Sequence, residues 1–340
     1  MTETFKKADW IYKTNIYEVN VRQYTDEGTL NAFAAHLPRL KDMGVETLWF
    51  MPLTPISMKK RKGTLGSYYA CSDYVSINPE FGTAADFRSL VDQAHELGLK
   101  VIIDWVANHT GWDHVWTKSN PEYFTKEETT GDFKPPKGMD DIIELDHSNP
   151  GLRKAMINAM AFWINEFGID GFRCDLASWV RLDFWADART ELEKLKILFW
   201  FGEYDPLENP DYNTVFDASY TWAWMHATEK FFKEQQPANV LTDLVSRYDA
   251  VAKQGHLPVW FTSNHDENSW NGTEYEKYGS MANALAVMSF NFKGIPLIYS
   301  GQELPNFKRL RFFDKDKIEW TGNLELHEFY KLLLYCHKNI

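Results

Sequence analysis

Short apolar runs alternate with longer stretches of helical periodicity along the whole chain. This is the pattern of repeated βα units around a parallel sheet. Residues 15–20 predict a first strand, 30–43 a helix closed by Gly44, and 47–51 a second strand. A helix over 86–97 closes at Gly98, and 100–104 predict the third strand. Residues 110–146 break the rhythm. They are polar, rich in Gly, Pro and Thr and weakly periodic, and so read as an insertion. The alternation then resumes with a helix over 152–167 ending at Gly168, a strand over 171–175 and a helix over 184–195. A fifth strand over 197–203 and a short sixth near 214–217 come next, then helices over 222–234 and 240–253. A strand over 258–263, a helix over 281–292, a strand over 296–300 and a last helix over 324–338 complete the count.

Eight strands alternating with helices predict an α/β fold, a closed (β/α)8 or TIM barrel. An open doubly wound sheet is the competitor, weakened because no Gly-rich dinucleotide fingerprint follows the first strand. The 340 residues suit one barrel of about 250 residues with an insertion. The expected division is a first part of the barrel over 1–109, a short inserted domain over 110–146 and a second part of the barrel over 147–340.

Composition changes this picture in few places. A net charge of −12 argues against nucleic acid as the partner and is compatible with a neutral substrate. Three cysteines, Cys71, Cys174 and Cys336, are widely spaced and give neither a disulfide framework nor a zinc pattern. No apolar stretch is long enough for a membrane helix. The opening MTETFKKADW has no apolar h-region, so the chain reads as cytoplasmic, or as secreted or periplasmic after removal of a signal. Aromatic residues are 16% of the chain, with 14 Trp. They serve a core of large side chains or present flat faces on which sugar rings stack.

The chemistry sits where apolar runs stop at a carboxylate: VIID at Asp104, GFRCD at Asp175, ILFWFGE at Glu203 and VWFTSNHD at Asp266. In a (β/α)8 barrel the active site lies at the C-terminal ends of the strands, so these acids are expected to converge on one cleft. One such acid alone would more simply be a solvated strand end. In GFRCD, Arg173 and Asp175 share a face, and the guanidinium favours an ionised Asp175, as a nucleophile requires. The same pair alone would equally suit a structural contact at a barrel rim. Glu203 follows Phe199, Trp200 and Phe201, an apolar setting expected to keep a carboxyl protonated as a general acid. One carboxylate ionised and one protonated is the chemistry of glycoside hydrolysis. His109 and His265, in the clusters Asn108-His109 and Asn264-His265-Asp266, offer hydrogen bonds to sugar hydroxyls. Metal ligation is the other reading, but no helical i, i+4 His pair supports it.

Taken in order, these blocks resemble the α-amylase family of glycoside hydrolases. DWVANH, GFRCD, the Glu203 block and TSNHD are similar to the family's four conserved blocks. GVETLWFMPL, GIPLIYSGQE, SYYACSDY and IELDHSNP are similar to further family segments. The resemblance implies Asp175 as nucleophile, Glu203 as acid/base and Asp266 as transition-state stabiliser. It implies substrate binding by Tyr69, Asp104, His109, Arg173 and His265. No cofactor is expected to be required. Calcium is the candidate metal, with Asn108 the one matched ligand and the short insertion pointing to weak dependence. Where many amylases carry Lys-His after the nucleophile, this chain has Ser178 and Trp179, which points away from long-chain amylase activity. Trp179 is expected over the cleft as a leaving-group-side platform, or packed down beside Phe184. The family usually carries a β-sandwich after the barrel; this sequence stops just after the eighth helix, and the expectation is that the sandwich was trimmed or that this member lacks it. Three functions remain: hydrolysis of α-glucosidic bonds in maltooligosaccharides or starch-like α-glucans, transfer between glucans by the same residues, and a non-catalytic barrel. Oligomeric state is not legible.

Overall fold

A computed structural model describes residues 5–321 and 324–339. Residues 1–4, 322, 323 and 340, which the expected barrel halves and the N-terminal reading include, lie outside these. Ten strands occur in chain order: β1 (Ile16–Val19), β2 (Thr47–Phe50), β3 (Lys100–Trp105), β4 (His109–Gly111), β5 (Ile142–Glu144), β6 (Gly171–Cys174), β7 (Phe199–Gly202), β8 (Ala218–Tyr220), β9 (Leu257–Trp260) and β10 (Ile295–Tyr299). Eight of them close a barrel in the order β1-β10-β9-β8-β7-β6-β3-β2, with every neighbouring pair parallel. The (β/α)8 reading is correct. β4 and β5 pair antiparallel and bracket the segment that interrupts the alternation.

The two faces of each barrel strand do different work. Ile16, Trp49, Ile102, Phe199, Phe201, Val259 and Leu297 fill the lumen as one cluster. Tyr17, Leu48, Ile103, Phe172, Cys174 and Trp200 face outward into the layer beneath the helices. Both faces are apolar, so the strands read as nearly continuous hydrophobic runs. Gly171 opens β6 because β7 passes too close for a side chain: a Cβ there would lie 2.2 Å from the Phe199 carbonyl oxygen.

Two expected elements differ. The helix over 30–43 is two helices, Leu30–Ala34 and Leu37–Met43. Pro38 lacks an N–H and restricts the residue before it, so the helix restarts there. The sixth strand is β8, not 214–217, since Pro210–Thr214 forms a 3-10 turn. Asp217 instead anchors the approach to β8, accepting from the Trp200 N–H at 3.0 Å and pairing with Arg189 at 3.0 Å. No helix among the described residues is long and apolar enough to cross a membrane.

Candidate active site

The acids reach one end of the barrel by different routes. Asp175 and Glu203 each follow the last residue of their strands, β6 and β7. Asp104 lies inside β3, and Asp266 six residues beyond β9, so these two are not strand stops. Asp266 heads a π-helical turn, Glu267–Asn271, of a kind that often marks functional sites. A cavity of about 260 Å³ opens here, and Tyr69, His109, Asp175, Glu203 and Asp266 are on its wall. Asp104, Arg173 and His265 are buried beneath that wall.

Arg173 binds the acids together. Its Nη1 meets Asp104 Oδ1 and Asp175 Oδ1, each at 3.1 Å, and its Nη2 stands 3.1 Å from Glu203 Oε1. The guanidinium also lies over Trp49, 4.9 Å from the ring centre, a cation–π contact. One cation therefore serves three carboxylates. Burial first, then the charge of Glu203, push Asp175 well above the usual carboxylate range, against Arg173. Burial likewise lifts Asp104 to about 6. Close acids that share a counter-charge retain a proton between them. Glu203 does not sit in an apolar pocket. Phe199 and Phe201 point into the lumen and Trp200 outward, while the carboxylate of Glu203 accepts from the Leu176 N–H at 2.7 Å. Leu176 holds a left-handed conformation, φ 41°, uncommon for a residue with a side chain and a local strain often found at functional sites.

The opposite wall is organised by imidazoles. Tyr69 donates its hydroxyl to Asp104 Oδ2 at 3.0 Å, lies 2.8 Å from His265 Nε2 and stacks on that ring. His265 Nε2 is 3.3 Å from Asp266 Oδ2. Against burial, Asp266 and Glu18 raise His265 well above its usual range. Against its own burial, Asp266 is pulled below the usual carboxylate range by His265. His109 is pushed down to about 4 by burial, so it is neutral at pH 7. Its Nδ1 faces the Asn108 amide nitrogen at 3.2 Å. An imidazole accepting at Nδ1 carries its proton on Nε2, and the Tyr69 backbone takes a hydrogen bond from the ring.

Trp179 ends the turn Ala177–Trp179 and is 58% exposed. It is not among the residues lining the cavity, and the Phe184 ring meets His147 and Trp185. Sequence reasoning missed Glu18, Lys62, Asp141, Trp270, Phe312 and Phe313. Trp270 sits four residues past Asp266 and donates its indole N–H to Asp266 Oδ1 at 3.2 Å. Its ring packs against Phe312 and Phe313. Lys62 bridges to Asp141 at 2.8 Å, tying the loop after β2 to the segment between β4 and β5. Glu18 was detectable, as a lone charge in an otherwise apolar strand.

The family described as Alpha amylase, catalytic domain matches residues 5–142 and 124–325, in two overlapping stretches. The chain belongs to the α-amylase family. The crystal structure of an alpha-amylase from Lactobacillus plantarum superposes with a TM-score of 0.88 at 33% identity, covering 96% of this chain and 80% of that one. That of a noncanonic maltogenic alpha-amylase from Thermotoga neapolitana gives 0.87 at 33% identity, covering 97% and 77%. Alpha-amylase 2 of Dictyoglomus thermophilum is 26% identical over 358 residues, covering 97% of this chain. This chain spans 60% of that relative's length.

The α-amylase family implies a calcium ion near Asn108, the one ligand matched in this sequence. The Asn108 side-chain nitrogen is turned to His109, and the Asn108 backbone carbonyl accepts from the Leu145 N–H at 3.0 Å. Among the described residues no group of three or more His, Cys, Asp or Glu could hold a metal ion. Calcium prefers six to eight oxygen ligands. We propose that this α-amylase family member depends on calcium weakly at most. The expected melting temperature in EGTA is within about a degree of that in Ca²⁺. A calcium-reversible loss of several degrees, on the order of 3 kcal/mol for a domain of this size, contradicts it.

Proposed function

We propose that this protein is a retaining hydrolase of α-glucosidic bonds, α-1,4 bonds in short maltooligosaccharides above all. The observation that carries the reading is the register of two strands. Cys174 of β6 pairs with Gly202 of β7, and the Glu203 N–H bonds to the Cys174 carbonyl at 2.9 Å. Asp175 and Glu203 thus leave adjacent parallel strands side by side, and neighbouring strands are about 4.8 Å apart. That spacing suits the short separation of retaining enzymes, about 5–5.5 Å. Inverting enzymes place the two carboxyls further apart, about 6.5–9.5 Å, to accommodate a water.

In this reading Asp175 attacks the anomeric carbon and forms a glycosyl ester. Glu203 delivers a proton to the departing oxygen and then takes one from the incoming water. Asp266, ionised beside His265, faces the positive charge that develops on the sugar. Tyr69 supplies a ring beneath that sugar, and His109 lines the cavity beside it. Trp179, exposed on the loop after β6, offers a flat face to glucose units beyond the cleavage point.

The test is the product mixture from maltotriose through maltoheptaose, with the anomer followed by NMR. The expected first product has the α configuration. A β product overturns the retaining assignment, and products longer than the substrate at high donor concentration mark transfer instead of hydrolysis. In the same assay Trp179→Ala is expected to lower kcat/KM on maltotetraose by about 1–2 kcal/mol. Activated aryl glucosides and the melting temperature should be unaffected. Equal losses on both substrates rule out the platform.

A further inference from the structure

Glu18 stands where a barrel least tolerates charge. β1 reads Ile-Tyr-Glu-Val, with Ile16 in the lumen core and Tyr17 and Val19 in the outer layer. Alternation turns Glu18 inward. Its lateral neighbours are Trp49 on β2 and Tyr299 on β10, and it is 0% exposed. A carboxylate in such a place costs several kcal/mol unless it is paired. Among the described residues the hydrogen bonds of this carboxylate go to one residue. Glu18 Oε1 accepts from His265 Nδ1 at 2.5 Å and from the His265 backbone N–H at 3.4 Å. Oε2 has no hydrogen-bond partner among the described residues. The other face of the same imidazole meets the Tyr69 hydroxyl and Asp266.

We infer that Glu18 is a positioning residue of the active site, holding the His265 ring in place and charged so that Asp266 and the Tyr69 hydroxyl are presented correctly to the sugar. This rests on the glycosidase reading above. The hydrogen bond to Glu18 commits a proton to Nδ1, so Nε2 is aimed at Asp266 and Tyr69 whenever Glu18 is in place. The charged and titratable groups facing His265 are Glu18 from β1, Tyr69 from the loop after β2, Asp104 from β3, Arg173 from β6 and the adjacent Asp266. Glu18 and Asp266 are the two anions in direct contact with the ring. Burial raises the Glu18 carboxyl, and His265, then Arg173, pull it back. Without Glu18, Asp266 alone would have to hold a buried imidazolium.

Glu18→Gln keeps a carbonyl to accept from Nδ1 and removes the charge. The expected result is a His265 titration, followed by NMR, displaced to lower pH by about one unit or more. The alkaline limb of the kcat/KM profile on maltotetraose should move the same way. We expect kcat to fall about tenfold with KM changed less than about twofold, the pattern of a lost transition-state interaction. Glu18→Asp, which keeps the charge, should return the limb toward wild type. An unchanged His265 titration in Glu18→Gln overturns the inference, as does a superimposable pH profile. Should Glu18→Gln not fold, His265 in the wild-type protein decides: imidazolium through pH 8 supports the inference and a neutral ring at pH 7 overturns it. Absence of α-glucosidic turnover in the wild type would defeat the glycosidase reading, while the titration is read without substrate.

Discussion

Asp175→Asn is expected to lower kcat by on the order of 10⁴-fold or more while leaving the protein folded and slightly more stable. The amide has the shape of the carboxylate, and its carbonyl can still accept from Arg173 Nη1, 3.1 Å away in the parent. It cannot form the glycosyl ester, which is why the loss is of the size seen when a nucleophile is removed. The stability change has the opposite sign. Burial and Glu203 raise the Asp175 carboxyl in the folded state, so folding binds a proton there that the unfolded chain releases above pH 4 or so. Stability from this group is present below the unfolded value and is lost as pH rises through the folded one. Asparagine removes that loss. The variant's advantage should therefore grow from pH 4 upward, reaching about 0.5–2 kcal/mol at neutrality, the usual gain on relaxing an active-site residue. Denaturant titrations at pH 4 and pH 7 measure it. Substantial remaining turnover would mean that another group is the nucleophile.

Arg173→Met is expected to be far more damaging to the fold, by about 3–5 kcal/mol, and to abolish turnover. The methionine fills much of the volume but leaves Asp104, Asp175 and Glu203 without their shared cation. Uncompensated buried charge is among the costliest changes a protein can carry. The destabilisation should shrink as pH falls and the carboxyls take up protons. Arg173→Lys is expected to recover only part of it, because one ammonium cannot meet three carboxylates as the two ends of a guanidinium do. Urea midpoints with unchanged slope would report the loss. A midpoint close to wild type at pH 7 would show that the three acids are stabilised by something other than Arg173.

The sequence made the barrel legible because each strand is a dense apolar run, and the site legible because carboxylates follow such runs. Asp175, Glu203, Asp266, Tyr69 and His109 do meet around one cavity. What escaped has physical reasons. β8 is only three residues long, with a serine at its centre, too short for periodicity to register. The aromatic run before Glu203 suggested an apolar pocket, but alternation sends those rings to the two faces of β7 and away from the carboxylate. Trp270, Phe312 and Phe313 are brought together by loops. The Asn268 side chain fastens the turn after Asp266 to the Lys308 carbonyl and the Leu310 N–H, and no local pattern encodes that. Glu18 was within reach, since a single acid in a lumen-facing position requires a partner somewhere across the barrel.

The seam between β1 and β10 also bears on synthesis. The Ser300 hydroxyl bonds to the Glu18 carbonyl across 282 positions of sequence, and Glu18 reaches His265 across 247. The ribosome emits about 5–20 residues per second. The first strand therefore waits on the order of ten seconds or more for the partner that closes the ring. Throughout that interval its edge is open and its buried carboxylate has no imidazole. The nascent chain should be most prone to aggregation, and most in need of a chaperone, before residue 300 emerges.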